Sequence, residues 1–355
     1  MNKQWLFSKK LDLLFLYLPI FITWGLCFLF DSTFADMKIP LLVWVFFVLG
    51  VDVSHVWSTI FRTYLSKEER VNYSSVIKLA PMIAFLFTLI FSWYSENLFW
   101  RVLAYFALYH FIKQQYGFLK LYKIKSPVKG KVFKDEAMIY LGTLYPVFIW
   151  HFLGDRKFNW FNTDDFITFP ILSTGIVDIL NIIYFSILMT WIVELLLSSQ
   201  KNNRSFPIGK VLWVVSTFGT WWLGIVYFNS DFSFTITNVV AHGIPYMFLV
   251  FYYVEEKKVI RNNHSQSIMK VVFSVLWMLL ICLFLGSSEE MLWDIFINNE
   301  RVDLFGNWPE LYVDHQFLRA LIIAFLSLPQ ITHYILDGFI WKGKDNPYIK
   351  NIFTR

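Results

Sequence analysis

The chain has 355 residues, of which 57% are hydrophobic, 21% aromatic and only 16% charged, with a formal net charge of +5. That composition lies outside the range of soluble globular domains and points to lipid as the solvent. The basic excess does not indicate a nucleic-acid partner, because Lys and Arg sit in short clusters beside apolar runs and not on one soluble domain.

A membrane span needs about 20 mostly apolar residues, and polar turns divide this sequence into about ten such segments. They cover approximately 11–30, 40–62, 75–95, 97–120, 136–154, 171–198, 209–228, 235–254, 268–286 and 313–341. The first is long enough to span and has no small-residue cleavage site after it, so it reads as a retained helix. Basic residues occur at Lys3, Lys9 and Lys10, at Arg62, Lys67 and Arg70, from Lys120 to Lys134, from Lys201 to Lys210, from Lys257 to Lys270, and from Lys342 to Arg355. The intervening loops carry Asp31 and Asp36, then Glu96, then Asp155, Asp164 and Asp165, then Asp231, and last Glu289, Glu290, Asp294, Glu300 and Asp303. Positive charge in alternate connections marks the cytoplasmic side. The expected fold is therefore an all-α, polytopic transmembrane helix bundle with both termini inside, forming one integral membrane domain over residues 1–355. Cys27 and Cys282 lie in apolar runs, form no CxxC pair and read as packing residues.

Ionisable groups at membrane depth are costly and tend to mark function. His55, His110, His242 and His333 fall in the second, fourth, eighth and tenth segments. They precede Arg62, Lys120, Glu255 and Lys342 by 7, 10, 13 and 9 residues respectively. At about 1.5 Å per residue that is a common layer roughly 10–20 Å from the cytoplasmic edge. Each has a polar neighbour one turn away: Asp52 for His55, Gln114 for His110, Asn238 for His242, and Asp337 for His333, with Gln330 on the other side. Such neighbours fix a tautomer or supply an oxygen ligand. The alternative is that each histidine only satisfies an interhelical hydrogen bond. His264 falls in a loop, and His151 and His315 fall near the outer face. Glu194, in the sixth segment, is a further carboxylate within reach of the layer, or snorkels from its helix end.

The expected ligands are His55, His110, His242, His333 and Asp337, with Asp52 a ligand or orienter, and Gln114 and Asn238 holding rings or positioning bound oxygen. Imidazole suits zinc, copper, iron and nickel, and carboxylates beside it lean toward non-haem iron or zinc. Iron is the first expectation, since a lipid-facing site suits oxygen attack on an unactivated apolar substrate with an electron donor. Haem between two histidines is an alternative, and structural zinc is disfavoured without cysteine. Arg62, close to the face of His55, is a candidate for an acidic lipid head group; the same residue, with Lys342, otherwise anchors a helix end. GxxxxGK[ST], HExxH, GxSxG and GxGxxG are absent, as are the histidine boxes of membrane desaturases and hydroxylases.

DVSHVWSTIFRTY at 52–64, YHFIKQQYGF at 109–118 and HYILDGFIWK at 333–342 resemble segments of a bacterial multi-pass membrane family with intramembrane histidine motifs. The resemblance implies that His55, His110 and His333 act as one set in a bacterial inner membrane, and it implies no activity. The expected function is a membrane metalloenzyme, an iron-dependent oxygenase or hydroxylase of a lipid or other apolar substrate. A proton-coupled transporter using the same His/Asp residues, with Pro245 breaking one helix, and a non-catalytic structural membrane protein are the alternatives.

Overall fold

The computed structural model describes residues 4–35, 39–126, 128–154, 156–262, 267–342 and 346–354; Lys3, Asp36, Asp155, His264 and Arg355 lie outside them. Every element among the described residues is helical, with no strand. In chain order the helices are α1 (Lys9–Phe34), α2 (Leu41–Arg62), α3 (Lys67–Asn72), α4 (Ser74–Tyr94), α5 (Glu96–Lys125), α6 (Asp135–Leu153), α7 (Thr174–Lys201), α8 (Ile208–Tyr227), α9 (Asp231–Asn262), α10 (Ile268–Asn298), α11 (Gln316–Leu326), α12 (Leu328–Ile340) and α13 (Pro347–Thr354). Among the described residues, seven helices are long and apolar enough to cross a membrane, namely α1, α2, α4, α7, α8, α9 and α10; the pair α11 and α12, bent by 46°, makes an eighth. The expected fourth and fifth spans exist as helices α5 and α6 but are less apolar. Arg101, Lys113 and Lys120 on α5, and Asp135, Glu136 and His151 on α6, interrupt their apolar runs.

The acidic loop expected after residue 286 is instead helical as far as Asn298. The carboxylates do not end the helix because they find partners. Trp57 Nε1 donates to Glu289 Oε2 at 2.7 Å, and Asp294 Oδ1 accepts the backbone N–H groups of Glu300 and Arg301 at 2.8 Å each. Asn299, at φ 51°, then turns the chain in the left-handed conformation that asparagine tolerates.

The chain forms two compact units. One comprises residues 1–43, 108–245 and 350–355. In it the buried Asp12 carboxylate accepts the N–H groups of Leu6 and Phe7 and, at 2.8 Å, the Tyr122 hydroxyl, while the Tyr17 hydroxyl donates to the Gly209 carbonyl at 2.7 Å. Lys210 is fully buried and paired with Asp135 at 2.8 Å, and Trp191 Nε1 donates to the same carboxylate. Gly219 is required by packing: a Cβ there would meet Trp24 at 2.3 Å.

The other unit comprises residues 44–107 and 246–349. Its central polar feature is Arg62, which is wholly buried. The guanidinium contacts Glu69 at 2.6 Å, donates to the Ile340 carbonyl at 2.7 Å and lies 4.1 Å from the Tyr253 ring centroid. Glu69 also accepts from Tyr253 at 2.8 Å and pairs with Lys257 at 2.9 Å. Burial alone raises the Glu69 carboxyl, but the Arg62 charge with hydrogen bonds from Arg62, Lys257 and Tyr253 outweighs it and holds the group below the ordinary value of 4.5.

Pro81, Pro146 and Pro245 lie inside α4, α6 and α9, and each removes the N–H that would serve the carbonyl four residues earlier. Each of those carbonyls accepts a side-chain donor instead: Tyr64 on Ile77 ahead of Pro81, Tyr184 on Gly142 ahead of Pro146, and Gln115 on Ala241 ahead of Pro245, at 3.0, 3.0 and 3.4 Å. In lipid an orphaned backbone carbonyl costs several kcal/mol, so such substitutes let the helices run on through proline.

Tyr184→Phe should therefore lower the unfolding free energy by about 1–3 kcal/mol, the cost of leaving a buried acceptor without its donor; thermal unfolding in detergent, compared with a phenylalanine at an exposed tyrosine such as Tyr94, checks this. Glu69→Gln should cost about 3–5 kcal/mol at neutral pH by leaving buried cations uncompensated. Because the folded Glu69 carboxyl is depressed, its contribution is complete above the ordinary value of 4.5 and is lost as pH falls through the folded value. The wild type should lose stability on acidification over that window, and Glu69→Gln should flatten that part of the stability profile.

Candidate metal centre

The first histidine pair belongs to the unit of residues 108–245. His110 on α5 and His242 on α9 are 5% and 0% exposed, with ring centroids 5.0 Å apart. Phe111 stacks on His242 at 3.6 Å and 6° and fixes the plane of that ring. Gln114 does not support His110, the partner its spacing suggests. Its amide nitrogen donates to the His242 backbone carbonyl at 2.7 Å, one residue beyond the Ala241 carbonyl that Gln115 serves. The two glutamines thus hold α9 where Pro245 has removed a backbone donor, and they fix the backbone that carries His242. The helix continues through Pro245 and is not broken there. Asn238 Nδ2 donates to the Phe234 carbonyl at 2.9 Å, and its buried Oδ1 has no hydrogen-bond partner among the described residues.

The second pair belongs to the other unit. His55 on α2 and His333 on α12 are 2% and 1% exposed, again with ring centroids 5.0 Å apart. Asp52 Oδ1 lies 3.5 Å from His55 Nδ1, and Asp337 Oδ2 lies 3.9 Å from His333 Nε2. A hydrogen-bonded run supports His333: its Nδ1 is 2.6 Å from Thr59 Oγ1, Thr59 is 3.0 Å from the Tyr246 hydroxyl, and Tyr246 donates to Asp337 Oδ1 at 2.5 Å. With the Tyr246 proton on the Asp337 bond, Thr59 donates its own proton to Tyr246 and accepts from His333 Nδ1–H. The ring therefore presents Nε2 as its lone-pair donor, the form in which a hydrogen-bonded histidine ligates metal.

All four histidines are buried and form one cluster able to hold a metal ion, with one ring nitrogen from each within 4.8 Å of the others. The remaining candidates lie elsewhere. Glu194 accepts the backbone N–H groups of Val132 and Phe133 and is committed to that loop. Arg62 faces inward, its charge matched by Glu69, and is not presented to lipid head groups. His151 Nδ1 is 2.8 Å from the Val147 carbonyl of its own helix, and His315 caps α11 by accepting from Leu318 N. Cys27 and Cys282 are buried as packing residues. Sequence reasoning passed over Tyr246 and Phe111 and gave Thr59 and Gln115 no role. Tyr246 had a usable signal, since it follows His242 by one helical turn; Phe111 carried none beyond adjacency to His110.

Thr59→Val should lower stability by about 1–3 kcal/mol by leaving His333 Nδ1 and Tyr246 without their shared partner, whereas Thr59→Ser, which keeps the hydroxyl, should stay close to wild type. Thermal unfolding in detergent distinguishes them, and a larger loss in Thr59→Ser than in Thr59→Val would show that the methyl contact and not the hydroxyl matters. No protein-family model, curated protein or solved structure matches this chain.

Proposed function

We propose that this protein is a membrane-embedded metalloenzyme in which His55, His110, His242 and His333 hold one transition-metal ion, and that it oxygenates a lipid or other apolar substrate. The observation that carries the reading is the convergence of four buried imidazoles, one nitrogen of each within 4.8 Å of the rest. Four imidazoles suit zinc, copper, iron or nickel, and carboxylates beside two of them favour iron among these. A convergence of four rings also favours a bare ion over haem, whose macrocycle needs the positions that two of them take. Asp337 and Asp52 then offset the ion's charge or complete its coordination, Thr59 holds the His333 tautomer, and Gln114 positions His242.

Iron held by these residues would supply dioxygen chemistry, in which one oxygen atom would enter a C–H bond and the other would leave as water, with two protons and two electrons from an outside donor. The chain's residues contribute a buried site that excludes bulk water and opens toward apolar substrates. The full bundle of about ten spans, with both termini in the cytoplasm of a bacterial cell, belongs to the same proposal and rests on the alternation of basic loops.

The hydrogen-bonded run from His333 through Thr59 and Tyr246 to Asp337 also suits proton transfer, which is the basis of a second reading, a proton-coupled transporter. Metal content separates the two. Protein purified in detergent from iron-replete cells should contain one equivalent of metal by elemental analysis, no Soret band in its optical spectrum, and metal reduced at least tenfold, or about 1.4 kcal/mol in affinity, in both His110→Ala and His333→Ala. Folded, metal-free wild type would overturn the metalloenzyme and leave pH-dependent flux in vesicles as the property to measure.

A further inference from the structure

A cleft of about 230 Å³ lies within the unit of residues 44–107 and 246–349, between α2, α4 and α12. Its wall is almost wholly apolar, with Val56 and Ile60 from α2, Pro81 from α4 and Leu336 from α12. Proline shapes it. Pro81 interrupts the hydrogen bonding of α4, and Pro329 stands in the first turn of α12 just beyond the 46° bend from α11.

Besides Trp57, Thr59 and Tyr64, whose polar atoms are hydrogen-bonded elsewhere, two polar groups break the apolar lining. One is His333, a member of the histidine cluster. The other is Thr332, 7% exposed, whose hydroxyl has no hydrogen-bond partner among the described residues. A helical threonine ordinarily bonds a carbonyl in the preceding turn. This one does not, and a buried hydroxyl left unpaired is destabilising, so it marks a place where a ligand's polar atom is accepted.

The cleft is too small for a compact ligand, since drug-sized molecules occupy pockets of about 300–1,000 Å³. It suits a slender chain. Beside Pro81, the side chains of Leu79, Met82 and Ile83 are 50%, 58% and 54% exposed, so α4 presents an apolar face here, and α2 and α4 are both apolar enough to lie in the hydrocarbon layer. The molecules that such a face meets at this depth are lipid acyl chains.

We propose that this cleft binds one unbranched acyl chain of a membrane lipid, with a polar atom of the lipid hydrogen-bonded to Thr332, and so brings the chain to His333. The assignment of that chain as substrate rests on the metalloenzyme reading; its binding in the cleft does not.

The test uses the full chain in phosphatidylcholine vesicles doped with a phosphatidylcholine that carries a photoreactive diazirine along one acyl chain, with labelled peptides mapped by mass spectrometry. Wild type should be labelled at Val56 and Leu336, which are only 8% and 0% exposed, as well as at lipid-facing Phe284, 70% exposed. Thr332→Phe and Ile60→Trp fill the cleft from two helices, and in each the labelling of Val56 and Leu336 should be lost while that of Phe284 persists. Elution as a single species confirms folding, and either variant suffices if the other fails to fold. Unlabelled Val56 and Leu336 in wild type, or labelling that survives in the filled variants, would overturn the proposal. Metal analysis on the same samples keeps the readings apart: metal-free wild type with labelled cleft residues leaves the acyl-chain site standing and removes the metal, whereas metal-loaded wild type with an unlabelled cleft does the reverse.

Discussion

A polar group inside a bilayer has no water to turn to, and this one constraint governs most of the structure. It explains why the buried cations come with their carboxylates, Lys210 with Asp135 and Arg62 with Glu69. It explains why α4, α6 and α9 run through proline where a tyrosine or glutamine side chain from another part of the chain serves the abandoned carbonyl. Helices that carry an internal proline in such a protein need donors from elsewhere, and Tyr64, Tyr184 and Gln115 supply them.

The same constraint decides how much the sequence could tell. Long helices were legible because lipid demands long apolar runs: each of the ten expected segments falls on helix, and among the described residues seven helices, with a bent pair as an eighth, are long and apolar enough to span. The histidine set was legible too, by counting from the charged helix ends, since axial depth along a helix follows directly from residue number. Partners were harder to read, because i to i+4 spacing says which side chains share a face and says nothing of what the facing helix offers. Gln114 shares a face with His110 yet bonds the carbonyl of His242, and Arg62 shares a face with His55 yet turns to Glu69. Both are long side chains whose reach exceeds the spacing between neighbours on one helix. The continuation of α10 through Glu289 and Glu290 was hidden for a related reason: a carboxylate ends a span only where nothing receives it, and Trp57, distant in sequence, receives Glu289.

The two histidine pairs are built by different means. In one, an aromatic ring stacked on His242 and an amide bonded to its backbone fix the imidazole sterically and through the main chain. In the other, a run of hydroxyl and carboxylate groups fixes the proton of His333. Control of the tautomer matters where one named nitrogen must carry the lone pair.

Four imidazoles buried together make sense electrostatically only if they are neutral or share a cation. Protonating more than one would set like charges side by side in a low dielectric, at a cost that grows as the surroundings exclude water. Neutral, they bring no compensating charge of their own. On the metalloenzyme reading the charge arrives with the ion, and Asp52 and Asp337, at 3.5 and 3.9 Å from His55 and His333, are the anions placed to offset it. Both carboxylates stand beside the same pair, His55 and His333. The carboxylates thus belong to the same unit as the acyl-chain cleft, whose lining includes His333.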